Sequence, residues 1–132
     1  LLESVGAGDP VDAIEPVLDR DGVLALQHAV DRVHTEPAVV DYLMAVVNAT
    51  RAHPDLRVGV SPRGAIGLFR AARALALVEG RTWVVPDDVQ RLVAPCLAHR
   101  LLPAGAPLST AEAHDEAAAI LDAIVREVAV PV

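Results

Sequence analysis

Arg63 and Arg70 stand seven residues apart in the stretch SPRGAIGLFRAARALALVEG, which runs from Ser61 to Gly80. At about 100° per residue, that separation puts both guanidinium groups on one side of a helix. Arg63 falls in the first turn, where the helix dipole favours anions, and Gly64 and Gly67 leave the adjoining surface open to close approach. The chemistry on offer is a charge-assisted contact with phosphate, worth about 1.5 to 3 kcal/mol per bond, and Arg63 is its leading candidate. Arginines are also ordinary on the solvated face of an amphipathic helix, so residue type and spacing leave an anion site and a plain surface both open.

Other chemistries find less support. His28, His34, His53, His99 and His114 include no pair at helical i, i+4 spacing with a neighbouring acid, so no metal site is expected. Asp87 and Asp88 follow Pro86 and are accounted for as acids in a first helical turn. Ser61 lacks the G-x-S-x-G surroundings of a nucleophile and reads as a cap. Cys96 lies on an apolar stripe and reads as a small core residue.

The elements that must carry the arginines follow from caps and periodicity. Ser61 and Pro62 open a helix and Gly80 closes it, with Ala65, Leu68, Phe69, Ala72, Leu75 and Ala76 as the inward face. Before it, Val23, Leu26 and Val30 predict a helix over residues 21–32. Val39, Val40, Leu43, Val46, Val47 and Thr50 predict another over 36–52, ended by Pro54. HPDLRVGV, residues 53–60, reads as a loop delivering the chain to Ser61. After the central helix, TWVV (82–85) suggests a short strand able to pair with residues 33–35. A helix then starts at Pro86 with Val89, Leu92, Val93, Cys96 and Leu97 inward, and Pro95 predicts a kink or a break. Residues 103–109 form a linker, and a last helix spans about 110–128, burying Ala113, Ala117, Ile120, Ile124 and Val128.

These elements make an all-α fold, a compact, partly orthogonal bundle of about five helices with room for a minimal two-stranded β patch. The expected division is a lead-in over 1–20, a helical body over 21–102, and a linker with C-terminal helix over 103–132. In 132 residues there is space for one domain, and with one Trp, one Tyr and one Phe its core must be built from Ala, Val and Leu. The net charge of -7 excludes nucleic acid as an expected partner. All eleven basic residues are Arg, so a Walker A lysine is missing and any phosphate site must be completed elsewhere. The single cysteine, the lack of a transmembrane-length apolar run and the lack of a signal-like start lead to an expected cytoplasmic setting without membrane insertion. The opening LLESVGAGDP, without Met, reads as cut from a longer protein.

The run VGVSPRGAIGLFRAARALALVEGRTWVVPDDVQRLVAPCLAHRLL resembles the C-terminal lid domain of MoxR-family AAA+ ATPases. GDPVDAIEPVLDRDGVLALQHAVDRVH resembles the segment joining the ATPase core to that lid, so the likeness extends over roughly residues 6–102. It implies an AAA+ lid packed beside the α/β core of the same chain, with Arg63 as the sensor 2 residue reaching the γ-phosphate of ATP. Ser61, Pro62, Arg63 and Gly64 become the nucleotide-binding set, and Arg70 and Arg73 an edge available to the core or a neighbouring subunit. The resemblance further implies ATP with Mg2+ in the intact parent, a chaperone-like homo-oligomeric ring, a hexamer, and partners carrying von Willebrand factor A domains. This chain departs from the family's frequent Thr before the Pro-Asp-Asp turn: Val85 takes that place, and the helix is expected to fray by about 1 kcal/mol. Walker A, Walker B, sensor 1 and arginine-finger motifs are absent, so these residues alone should hold no nucleotide and show no ATPase activity. The rival reading is a helical protein–protein interaction module without a nucleotide role, docking through its acidic surface and the Arg70, Arg73 edge with Ile66 and Leu77 near the arginine side.

Overall fold

The computed structural model describes residues 14–105 and 109–131. Most of the expected lead-in (1–13), the middle of the expected linker (106–108) and Val132 lie outside them. The elements are α1 (Arg20–Asp31), α2 (Pro37–Ala52), β1 (Leu56–Val58), α3 (Pro62–Val78), α4 (Pro86–Leu97), a 3-10 turn at Ala98–Arg100, β2 (Leu102–Pro103) and α5 (Thr110–Glu127). The fold is all-α with a small antiparallel sheet.

The core is small-residue packing, as composition requires. α2 contributes Tyr42, Leu43, Val46 and Val47, α3 Leu68, Ala72 and Ala76, α4 Val89, Val93 and Leu97, and α5 Ala117, Leu121 and Ile124. Alanines on α3 let α4 approach closely, because a methyl group keeps two helix backbones near the short end of the usual 8–10 Å separation. Cys96 packs half-buried against this core, and burial raises its thiol pKa while the Arg100 charge partly offsets that.

One expectation is corrected and three are sharpened. The β patch lies elsewhere: residues 82–85 meet 33–35 only at one parallel bridge, His34 with Trp83, through the bonds His34 N–H to Thr82 O (2.8 Å) and Val84 N–H to His34 O (2.9 Å). Pro86 starts α4 immediately afterwards, which leaves no length for a strand. The two-stranded sheet is instead Leu56–Val58 against Leu102–Pro103, drawn from the expected loop and the start of the expected linker. Pro103 is tolerated because each strand has only one neighbour.

The second concerns α1, which forms at the expected place and buries no residue; Val23 and Leu26 are 43% and 49% exposed. Third, α4 runs through Pro95 to Leu97 and only then tightens into the 3-10 turn. Fourth, α4 has a substitute for its missing cap. Asp88 is fully buried and its Oδ2 accepts the Val85 N–H at 2.9 Å, while Arg81 grips both carboxylate oxygens at 2.8 and 2.6 Å. Burial pushes the Asp88 carboxyl up, but Arg81 and the Val85 N–H outweigh it and leave its pKa below the ordinary value.

Candidate functional site

The approach to the α3 N-terminus is fixed by α2. Thr50 Oγ1 donates to Val47 O (2.6 Å) and accepts the Val60 N–H (3.0 Å), and Arg51 Nε donates to Val60 O (2.8 Å). Both backbone groups of Val60 are therefore held from the last turn of α2. Gly59 makes this possible: a Cβ there would lie 2.7 Å from Arg51 Cα and from Thr50 O, so a side chain would force the two segments apart. Ser61 follows in extended geometry, and its Oγ accepts the Gly64 N–H at 3.2 Å as the N-cap. Pro62 occupies the first helical position, where no N–H is needed.

Arg63 is exposed on the first turn. Of the set expected around it, Ser61 and Gly64 are joined to each other by the cap and Gly64 is buried, so these two shape the helix start; Arg63 supplies its charge.

Arg63 and Arg70 line one open cavity of about 500 Å³ together with Ile66, Gly67 and Arg100. None of these three arginines makes a hydrogen bond or ion pair with another described residue. Among the described residues no acid lines the cavity. The arrangement is a concentration of positive potential in a chain that is acidic overall, suited to a multivalent oxyanion.

Arg73 is directed elsewhere. Its Nε donates to Val33 O (2.9 Å), its Nη2 to Asp31 O, and its guanidinium lies 5.4 Å from the Phe69 ring centroid, which ties α1 and the residues after it to α3. Ile66 is 55% exposed, as expected of the arginine side, whereas Leu77 packs half-buried against the core.

Arg100 escaped the sequence reading. It comes from the 3-10 turn after α4, and its Cδ lies 3.7 Å from where a Gly64 Cβ would stand. A usable signal was present: the short link between α3 and α4 makes the two helices antiparallel, so the end of one must return to the start of the other.

The AAA lid domain family model matches residues 48–132. The chain belongs to the AAA lid domain family. It is 40% identical over 93 residues to the uncharacterized protein YeaC of Bacillus subtilis, a match covering 70% of this chain and 29% of that protein. It is 38% identical over 95 residues to the chaperone MoxR1 of Mycobacterium tuberculosis, covering 65% of this chain and 25% of MoxR1. A crystal structure of a "putative ATPase" from Cytophaga hutchinsonii superposes with a TM-score of 0.75 at 23% identity, over 99% of this chain and 42% of that one. This last likeness is one of fold. The lid therefore belongs to the MoxR type of AAA+ ATPase, and it spans less than a third of the length of the curated relatives it matches.

Cavity chemistry fits phosphate oxygens, because arginine forks donate to them in pairs. It does not supply carboxylates for a divalent cation, and among the described residues no group of three His, Cys, Asp or Glu could hold one. Among the described residues no helix is long and apolar enough to cross a membrane.

Proposed function

We propose that this lid serves the nucleotide site of a MoxR-like ATPase, with Arg63 reaching the γ-phosphate of ATP as sensor 2. The observation that carries the reading is the cationic cavity at a firmly held helix start: Arg63 has no partner of its own among the described residues, and the segment that presents it is bonded to α2 through both backbone groups of Val60. A nucleotide held by the α/β core would supply the oxyanion, and the core would supply the ligands of its Mg2+. Loss of the γ-phosphate would release Arg63, so hydrolysis would be felt as a change in lid position. Work of this kind suits a chaperone-like cytoplasmic ring, a hexamer in this reading, acting on partners with von Willebrand factor A domains; Arg70 is placed to serve either the nucleotide or a neighbouring subunit.

The test is Arg63→Ala in the full-length protein. ATP turnover should fall by about a hundredfold or more, the scale of losing one donor to transition-state charge. Unchanged turnover together with unchanged nucleotide affinity would remove the sensor role.

The interaction-module reading has one observation of its own. A wholly apolar groove of about 200 Å³ lies between α2 and α3, lined by Val40, Leu43, Met44, Ala65, Ile66 and Phe69. Ile66→Ser with Met44→Ser should then impair assembly while nucleotide affinity is retained.

A further inference from the structure

We infer that Arg100 is a second phosphate-binding arginine of the same site, so that the lid grips the phosphate chain of a nucleoside triphosphate between α3 and the end of α4. The inference rests on the reading of Arg63 as a nucleotide contact and extends it to a residue on a different element.

Position is the first argument. Arg100 lines the same cavity as Arg63 and Arg70, and it arrives there because the 3-10 turn at Ala98–Arg100 redirects the chain at the end of α4. Buried Gly64 has no side chain to block it, and the Arg100 stem passes over that bare backbone beside the Leu97 side chain. The helix start thus presents Arg63 from its own first turn and Arg100 from across the gap.

Charge is the second. Chain-wide, acids outnumber arginines by 18 to 11, yet among the described residues none lines this cavity. Two arginines elsewhere are paired with acids, Arg81 with Asp88 and Glu79 and Arg91 with Glu79, while among the described residues Arg20, Arg32, Arg57 and Arg126 make no ion pair but do not share this cavity. Three like charges around one cavity repel each other, and an anion between them turns that repulsion into attraction. A triphosphate carries several negative charges over a length that more than one guanidinium can span, whereas a single carboxylate would satisfy only one fork. Gly67 keeps the floor of the cavity free, with no atom within 4 Å of where its Cβ would be.

The experiment measures equilibrium binding of a non-hydrolysable ATP analogue to the full-length protein in four forms: unaltered, Arg63→Gln, Arg100→Gln and Arg100→Lys. Thermal unfolding of each form is recorded alongside. Arg100→Gln should weaken binding about tenfold or more at an unchanged unfolding temperature, and Arg100→Lys should recover part of the loss, since it restores the charge without the fork. Wild-type affinity in Arg100→Gln overturns the inference; if Arg63→Gln is weakened in the same series the sensor reading survives, and if it is not, both fall. A loss that Arg100→Lys fails to recover, or a loss of assembly at wild-type nucleotide affinity, also overturns it, the second assigning Arg100 to an acidic protein partner.

Discussion

At one end of the α3–α4 pair, Arg81 holds both oxygens of a fully buried Asp88 and one of Glu79, and Glu79 in turn meets Arg91 at 2.5 Å. At the other end, Arg63, Arg70 and Arg100 border a cavity with no acid in its wall. The same side chain does two different jobs. Where its charge is neutralised inside the fold it holds the carboxylate that caps α4 and closes a turn through Trp83 O, and removing it should cost stability. Where its charge is left open it should add little to stability, and in the proposed reading it serves an anion supplied from outside the domain.

The most forceful way to break this contrast is Asp88→Ala, which strands Arg81 and the Val85 N–H together. Unfolding by denaturant should show a loss of about 3 kcal/mol, the lower edge expected for breaking a buried pair because Arg81 keeps Glu79. A loss under about 1 kcal/mol would mean the closed end carries no special weight. The same end should respond to acid. Since the folded pKa of Asp88 is depressed, its contribution is present above the ordinary aspartate value of 3.8 and fades as pH falls through the lower folded value. The stability gap between the unaltered chain and Asp88→Asn should therefore hold from neutral pH to about 3.8 and narrow below it.

Gly59→Ala should cost about 2 kcal/mol in the same measurement, the scale of forcing a methyl into packed backbone. That result would show that the open end is held by close backbone contact rather than by charge. Gly67→Glu sharpens the contrast from the other side: it replaces a helical glycine in open space and puts an acid on the cavity wall, so thermal unfolding should rise by the equivalent of about 0.5 to 1 kcal/mol. Smallest of all, Arg63→Gln and Arg100→Gln should each change stability by less than about 0.5 kcal/mol. A loss above 1 kcal/mol at either would place that arginine among the structural ones.

The helices were legible because their ends carry chemistry. Ser61 with Pro62 is a local cap that residue types alone reveal, and the Ser61 hydroxyl accepts the N–H three residues on; Ser109, placed in the linker by the sequence, does the same for Glu112. The pairing of Arg63 with Arg70 was legible for a similar reason, being a matter of one helix's period. What escaped notice depends on neighbours. LRV at 56–58 has two exposed residues out of three and becomes a strand only because Leu102 and Pro103 lie beside it. The apolar stripe of α1 predicts a helix correctly, but periodicity cannot say whether a partner covers the stripe, and among the described residues none buries it. Asp88 looked like one of two dipole-matching acids, and only the folded chain brings Arg81 onto it. Arg100 lay beyond the reach of any helical wheel, because its place follows from how two helices are joined.

Gly59 has a mechanical consequence. Because it lets the chain lie directly on the α2 backbone, and because Thr50 and Arg51 then clasp Val60, the Arg63 turn is braced like the foot of a strut instead of hanging from a slack tether. The chain between α2 and the first turn of α3 is therefore held short, with little slack at the backbone of Ser61. α2 in turn packs against α5, so the start of α3 is joined through α2 to a helix some tens of residues away in sequence.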